Sequence, residues 1–244
     1  MQLRGRAALV TGAGRRVGRA IAVGLGGRGM RVAVHYHGSA DGAAETARLI
    51  AEAGGEAVLV QADLSGAAAP AALVADAARQ LGGLDVLVNS AAVMDRTPFG
   101  ETSAEQWDRI FALNLRAPYF LAQAAAPLLA AAPGGAIVNI ADLASFETWP
   151  DYIPHGLSKH GVVRLTESLA RVLAPGVRVN AVAPGTVLLP EGWTDADAER
   201  LRQTTPLQRH GSPDDVVQAV LYLLDADFVT GETIVVDGGR RVRR

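Results

Sequence analysis

The sequence predicts a single doubly wound α/β domain, with a seven-stranded parallel sheet and helices on both faces. Short apolar runs alternate with longer segments of helical periodicity along the 244 residues, as in successive βαβ units. The runs are mostly apolar and do not alternate with polar residues, which is expected for strands buried on both faces. No repeat of fixed period and no Ser/Pro-rich linker divides the chain, so we expect one domain over residues 1–244.

The elements alternate in order along the chain. The predicted strands are residues 7–10, 31–36, 57–62, 85–89, 136–140, 177–182 and 232–236. The predicted helices are residues 19–28, 41–53, 67–81, 104–129, 154–172 and 213–224. Pro118 is expected to interrupt the longest helix, whereas Pro154 suits the start of the next. Residues from about 186 to 211 break the alternation, and we interpret this proline-containing segment as a lid over a substrate site.

Composition and charge exclude several classes of function. A net charge of −2 provides no field to hold nucleic acid or an anionic membrane surface. The absence of cysteine excludes disulfides and thiolate chemistry, and the five histidines show no metal-ligand spacing. No apolar run of about 18 residues and no leader peptide is evident, so we expect a soluble, cytoplasmic protein. The basic segment 240–244 is interpreted as a solvated or subunit-contacting tail.

A glycine-rich turn, residues 11–18, joins the first strand to the first helix. In a dinucleotide-binding site such glycines allow close backbone approach, and the helix N-terminus faces the pyrophosphate. An NAD site has a carboxylate at the end of the second strand, but here no acidic residue occurs before Asp41. Arg15, Arg16, His37 and Ser39 instead offer donors suited to a 2′-phosphate, which predicts NADP(H).

The segment from Asp142 to Lys159 is the candidate catalytic region. Lys159 is the only lysine among 23 basic residues, which suggests a position that arginine cannot fill. His155 lies four residues earlier and therefore on the same helix face. An incidental lysine on a surface helix is the simpler alternative. A Ser-His-Asp hydrolase using Ser145 or Ser158 is disfavoured, because no nucleophile elbow precedes these residues.

Taken together, several motifs resemble those of the short-chain dehydrogenase/reductases. They span nearly the whole chain and are Thr11-Gly12 with Gly18, Asn89-Ser90-Ala91, Asn114, a 13-residue step from Asp142 to position 155, Lys159, Pro184-Gly185 and Val236-Asp237-Gly238-Gly239. Finer features resemble the pteridine reductase branch of that family. These are Arg16, His35-Tyr36-His37, Gln61-Ala62-Asp63-Leu64, Asp142 and residues 185–191.

The resemblance implies a Rossmann reductase that binds NADP(H) and a small substrate, pterin-like or another carbonyl compound. The implied cofactor-binding residues are Gly12, Arg15, Arg16, Val17, Gly18, His37 and Ser39 around the phosphates, Asp63 and Leu64 at the adenine, Asn89, Ala91 and Lys159 at the riboses, and Pro184, Gly185 and Thr186 at the nicotinamide amide. The implied catalytic residues are Asn114, Asp142, His155 and Lys159. Family members pair through the helix at 154–172, which implies a homotetramer or homodimer.

The sequence departs from the family pattern at the proton donor. His155 occupies the position of the family's catalytic tyrosine, and Tyr152 lies three residues earlier. Met94 and Ala92 align with an aromatic residue and a serine of the pteridine reductase branch, and Gly38 replaces a basic residue. Two interpretations remain open. Asp142 and His155 form an acid pair, with Asn114 fixing a water, or the chain binds NADP(H) without turnover. The substrate also remains open between pterins and 3-oxoacyl, sugar or steroid ketones.

Overall fold

The computed structural model describes residues 2–189, 192 and 194–242, and within them one parallel sheet forms the centre of the molecule. Its strands are β1 Ala7–Val10, β2 Arg31–Tyr36, β3 Glu56–Gln61, β4 Val86–Asn89, β5 Ala136–Ile140, β6 Arg178–Pro184 and β7 Thr233–Val236. Their order across the sheet is β3-β2-β1-β4-β5-β6-β7, with every pair parallel. The predicted fold class is therefore confirmed.

Two layers of helices cover the sheet. One layer contains α1 Arg16–Gly27, α2 Ala40–Glu52 and α8 Pro213–Asp225, and the other contains α3 Ala69–Leu81, α5 Ala117–Ala131 and α6 Ile153–Leu173. The short helix α4 Ala104–Phe111 packs on α6, and α7 Asp195–Thr204 follows β6 and precedes α8 in the chain. Within the described residues, no helix is long and apolar enough to cross a membrane.

The central strand β1 shows why its sequence is apolar at every position. Ala8 and Val10 belong to the core beneath α1, α2 and α8, whereas Ala7 and Leu9 belong to the core beneath α3, α5 and α6. All four are fully buried. Burial of one Leu or Val side chain is worth about 1.5–3 kcal/mol, so both faces contribute to stability.

The structure corrects two expectations about regular elements. The helix predicted for residues 104–129 is interrupted by a π-helical turn at Ala112–Arg116, and Pro118 lies in the first turn of α5, where its missing N–H is tolerated. The segment predicted as a lid contains α7, which starts with a capping box between Thr194 and Asp197. Pro190, Glu191 and Trp193 of that segment, and Arg243 and Arg244 of the basic tail, lie outside the described residues.

The chain order places a crevice at the carboxyl ends of the central strands. The chain runs outward from β1 to β3 and then returns to β4 on the other side of β1. Loops after β1 and β4 therefore diverge, and ligands bind at such switch points in open α/β sheets. A cleft of about 1020 Å³ opens there.

Candidate active site

The glycine-rich turn after β1 is held tightly against the end of β4. Thr11 Oγ1 accepts hydrogen bonds from the backbone N–H groups of Ser90 (2.9 Å) and Ala91 (3.1 Å). Gly12 has φ +66°, and a Cβ atom there would lie 2.8 Å from Ala91 Cα. A Cβ on Gly18 would overlap the carbonyl oxygen of Gly12. The turn therefore requires glycine at both positions, and it leaves the N-terminus of α1 facing the cleft.

His35 on β2 fastens this turn from the other side. The Gly12 N–H donates to His35 Nδ1 (3.0 Å), so Nε2 carries the proton and donates to the Ala62 carbonyl (3.1 Å). Burial lowers the pKa of His35 to about 4, against an opposing contribution from the Ala62 hydrogen bond. His35 was assigned no role from the sequence. The only available signal was a histidine within a buried strand.

Protonation of His35 should destabilise the fold below neutral pH. Its pKa is about 4 in the fold and near 6.5 in the unfolded chain, so the unfolded chain binds more protons between these values. The stability is complete above pH 6.5 and declines as the pH falls towards 4, by up to about 3 kcal/mol. Urea unfolding across this window should show the decline in the wild type and a smaller one in His35→Asn. Equal declines in both proteins would contradict the assignment.

The cleft at the α1 end is positively charged. Arg15 and Arg16 are exposed there, and within the described part of the chain neither guanidinium pairs with a carboxylate. Arg16 has φ +53°, a left-handed conformation that costs a non-glycine residue about 1 kcal/mol. A retained strain of this kind is typical of functional positions. Two unpaired cations beside a helix N-terminus suit a phosphate group.

The loops after β2 and β3 form the adjoining wall. His37 Nδ1 lies 3.4 Å from Asp63 Oδ1, and both side chains are exposed. Hydrogen bonds from the Ser65 hydroxyl and backbone N–H lower the pKa of Asp63, so its carboxylate is charged at neutral pH. His37 is therefore paired with Asp63, as well as being a candidate ligand of the cofactor phosphate. This pairing was not expected from the sequence. Leu64 is buried beside them.

Most of the predicted site residues line the same cleft. They are Gly12, Arg15, Arg16, Val17, Gly18, His37, Ser39, Asp63, Leu64, Ala91, Asp142, His155, Lys159, Pro184, Gly185 and Thr186. Asn89 and Asn114 do not line it. The Asn89 amide donates to Asn139 in the core (2.8 Å), and its Oδ1 is buried without a hydrogen-bond partner. Lining residues that were not predicted include Val93, Trp149 and Arg240.

The side-chain amide of Asn114 fixes the residues that contact the His155 ring. It accepts from the Val93 N–H (2.9 Å) and donates to the Val93 carbonyl (2.9 Å) and to Ser158 Oγ (3.1 Å). These protein partners occupy the amide, so its side chain is not placed to hold a water in the cleft. Instead it fixes the loop after β4 on which the His155 ring rests.

Asp142 and His155 face each other at the floor of the cleft. His155 Nε2 lies 3.6 Å from Asp142 Oδ2, and this nitrogen is buried without a hydrogen-bond partner among the described residues. The other oxygen, Oδ1, accepts from the Ala144 N–H (2.7 Å), which caps the short 3₁₀ helix Leu143–Ser145. That cap orients the carboxylate, and a quarter of the Asp142 side chain remains exposed while the His155 side chain is almost wholly covered.

The other ring nitrogen determines the charge state that suits this pair. His155 Nδ1 lies 3.1 Å from the Val93 carbonyl, which can only accept, and 3.4 Å from the Asn114 amide nitrogen. The two N–H groups of that amide are used by shorter bonds to the Val93 carbonyl and Ser158 Oγ, so Nδ1 is assigned the proton that Val93 accepts. A neutral ring would then turn the lone pair of Nε2 towards the Asp142 carboxylate, and two acceptors would oppose each other. A proton on Nε2 converts this repulsion into an ion pair at 3.6 Å, and a small approach of the two side chains would make it a hydrogen bond.

Lys159 is buried one helical turn after His155. Its ammonium group donates to the Ile140 carbonyl (2.8 Å), at the end of β5. Burial lowers the pKa of Lys159 to about 8, and the nearby Asp142 carboxylate opposes this shift. With this pKa, the side chain carries a positive charge at neutral pH and can still lose its proton. An arginine at this position could not lose its proton.

The remaining candidates are placed elsewhere. Tyr152 precedes α6, lies edge-on to Trp149 and does not line the cleft. Ser158 Oγ donates to the backbone carbonyl of His155 rather than to its ring, and Ser145 is buried. No serine nucleophile is therefore paired with His155. Among the described residues, no group of three His, Asp or Glu side chains is arranged to hold a metal ion.

Comparison with known proteins gives relatives that match over the whole length. Residues 12–241 match the family model described as Enoyl-(Acyl carrier protein) reductase. The chain is 36% identical to 3beta-hydroxysteroid dehydrogenase 1 of Eggerthella lenta, over 97% of this chain and 94% of the relative. It is 34% identical to the 3-oxoacyl-[acyl-carrier-protein] reductase FabG of Staphylococcus aureus, over 96% and 97%.

A solved structure with the same fold carries a bound nucleotide. FolM alternative dihydrofolate reductase 1 from Brucella canis, complexed with NADP, superposes with a TM-score of 0.93 at 35% sequence identity. The alignment covers 100% of this chain and 96% of that one. The correspondence therefore includes every strand and helix around the cleft.

Proposed function

Because this chain belongs to the short-chain dehydrogenase/reductase family of oxidoreductases, we propose that it reduces a C=O or C=N group of a small substrate, with the Asp142–His155 pair as its acid. The observation that carries this proposal is the 3.6 Å approach of His155 Nε2 to Asp142 Oδ2 beside the buried Lys159. The pair provides a proton at the place where the family motif otherwise has a tyrosine.

The cofactor is NADP(H), and the cleft has the groups that would hold it. The Gly12 and Gly18 contacts leave no room for side chains, and the first turn of α1 contains no acidic residue. Arg15 and Arg16 supply unpaired cations suited to phosphates, and Lys159 lies where the resemblance expects the nicotinamide ribose. NADPH supplies a hydride when it is bound. The NADP complex of the Brucella relative supports this choice.

The residues of the chain divide the proton chemistry among them. Asp142 is the exposed member of the pair, so its Oδ2 faces the substrate heteroatom and passes on the proton that it takes from His155 Nε2 behind it, which leaves the ring neutral. Val93 and Asn114 hold the ring in position. Lys159 adds positive charge that stabilises negative charge developing on the substrate oxygen. The heteroatom gains this proton as the adjacent carbon gains the hydride, which yields an alcohol or an amine.

The substrate class has two candidates. The curated relatives favour a ketone, because the names of two of them specify a hydroxysteroid dehydrogenase and a 3-oxoacyl reductase. A pterin is the second candidate, and the dihydrofolate reductase relative, the cation at Arg16 and the acid at Asp142 support it. Met94, half exposed beside the cleft, offers a flexible apolar surface rather than a fixed aromatic stack.

The function is tested by following NADPH absorbance with matched substrates. We expect the protein to oxidise NADPH with at least one of three kinds of substrate: simple cyclic ketones, a 3-oxoacyl thioester or a dihydropterin.

The cofactor preference is tested with Arg16→Gly. This change should weaken NADPH binding about tenfold, the value of one charge-assisted hydrogen bond. NADH binding and stability should stay intact, because glycine relaxes the left-handed backbone. Tight NADPH binding without turnover of any compound would identify a nucleotide-binding protein instead, and tenfold tighter NADH binding would refute the cofactor preference.

We further propose that the chain pairs with copies of itself through α6. Leu157 is half exposed on this helix. Leu165 lines a second groove between α4, α5 and α6 together with Phe111, Leu115 and Tyr119. A helix that is apolar on two sides usually packs on two sides, and the resemblance implies a dimer or tetramer through this surface.

A further inference from the structure

Of the tail residues that the structure describes, 240–242, Arg240 alone lines the cleft. It follows β7 directly after the Gly238-Gly239 turn, and its Nη1 donates to Thr186 Oγ1 (3.1 Å). Its Nε is buried and has no hydrogen-bond partner, and within the described part of the chain no carboxylate pairs with it. Arginine cannot lose its proton, so this side chain keeps a charged donor unpaired inside a binding cleft.

The free donors of Arg240 have the geometry of a carboxylate site. The edge formed by Nε and Nη2 matches the two oxygens of a carboxylate, but in the present position its Nε is buried. Pairing it requires a rotation of the side chain. That rotation is favourable once an anion enters, because the present position leaves Nε unsatisfied. The Thr186 hydroxyl accepts from Arg240, so its own proton can also be donated to a ligand.

The place of Arg240 separates it from the phosphate end of the cleft. Thr186 follows β6, which is three strands away from β1 in the sheet, or about 14 Å at the usual strand spacing. Arg15 and Arg16 already serve anions at the β1 end. Asp142, His155 and Lys159 instead lie at the end of β5 and the start of α6, next to β6. An anion bound to Arg240 would therefore lie near the candidate catalytic residues and would be part of the substrate, not a phosphate of the cofactor.

We infer that Arg240, positioned by Thr186, binds a carboxylate of the substrate, and that the preferred substrates are oxo acids rather than neutral carbonyl compounds. This inference rests on the proposed reductase function and narrows its substrate class. Substrate binding would satisfy the orphaned guanidinium and would place the carbonyl group at a fixed distance from Asp142.

The test compares oxo acids with their methyl esters. 3-Oxobutanoate, 4-oxopentanoate and 5-oxohexanoate vary the spacing between carbonyl and carboxylate, and each ester differs from its acid only in charge. In the wild type, kcat/KM should favour the acid about tenfold or more for at least one spacing. Arg240→Met should reduce this ratio to near one by impairing the acid alone, and NADPH affinity should change less than twofold. Arg241→Met is the matched control, because Arg241 stacks on Phe146 outside the cleft.

The outcomes separate two claims, the carboxylate site at Arg240 and the reductase function on which it rests. An acid-to-ester ratio near one for every pair, or an equal loss for acid and ester in Arg240→Met, would overturn the carboxylate site. A weakened NADPH affinity with an unchanged ratio would assign Arg240 to the cofactor and would also overturn it. If the wild type reduces none of these compounds and none of the ketones, thioesters and pterins named above, the reductase proposal fails. Calorimetry of acids and esters with the NADP⁺-loaded protein then tests the Arg240 site without turnover. Binding that is selective for the acids and is lost in Arg240→Met would support the site. Equal binding of acid and ester would refute it.

Discussion

Replacing His155 by phenylalanine is expected to lower kcat by about 10² to 10⁴, the usual contribution of a positioned general acid. Phenylalanine fills the same buried space and keeps the ring plane, but it has no proton for Asp142 and no donor for the Val93 carbonyl. Steady-state turnover of the best carbonyl substrate measures the loss. NADPH affinity should change little, because the loss concerns proton delivery.

Two further substitutions show whether the pair acts as a unit. Asp142→Asn should reduce kcat about as much as His155→Phe, and the double variant should add little, since each single change already interrupts proton delivery by the pair. His155→Tyr places a phenol beside Lys159 and should retain activity. Full activity in either single variant would refute the acid pair, and activity found only in His155→Tyr would mean that the natural chain has lost its acid.

Tyr152→Phe is the matched control for this series. The tyrosine is near His155 in the chain but stacks edge-on to Trp149 away from the cleft, so removal of its hydroxyl should leave kcat within about twofold, as expected of a substitution distant from the chemistry. A loss comparable to that of His155→Phe would identify Tyr152 as the acid. Its phenol would then have to move into the cleft during turnover.

The sheet was predictable because its pattern is local and redundant. The interior strands carry runs of apolar residues that are buried on both faces, as Ala7 to Val10 show, and flanking glycines mark the ends. The helix at Asp195–Thr204 was missed because it is polar on most sides and has only one buried side chain, Leu201. Its Thr194-to-Asp197 capping box was the signal that could have revealed it.

The motif residues of the site were predictable, but its supporting contacts were not. Asp142, His155 and Lys159 are close in sequence and meet in the structure, because the end of β5 faces the start of α6. The roles of His35 and Arg240 depend on contacts across the fold, with Gly12 and Thr186 respectively. No periodicity or spacing encodes such contacts. The interruption at Ala112–Arg116 is similar, since Asn114 within it bonds to the distant Val93.

Replacing Lys159 by methionine is expected to lower kcat/KM for NADPH by about 10² or more, because both a hydrogen-bonding cation and its charge stabilisation are lost. Methionine has similar length and removes a buried charge, so the free energy of unfolding should not fall. Arg171→Met removes a positive charge from the exposed last turn of the same helix and is the control. Undiminished turnover in Lys159→Met would reject the role of the ammonium group.

The pH dependence connects this loss to Lys159 itself. Burial brings the pKa of Lys159 to about 8, so the cation is present below that pH and is lost above it. Wild-type kcat/KM, which reports groups of the free enzyme, should therefore fall about tenfold per pH unit above 8. The residual activity of Lys159→Met should lack this alkaline decline, since the titrating group is gone. A decline that persists in the variant would assign it to another group, and the ammonium would then act only through packing.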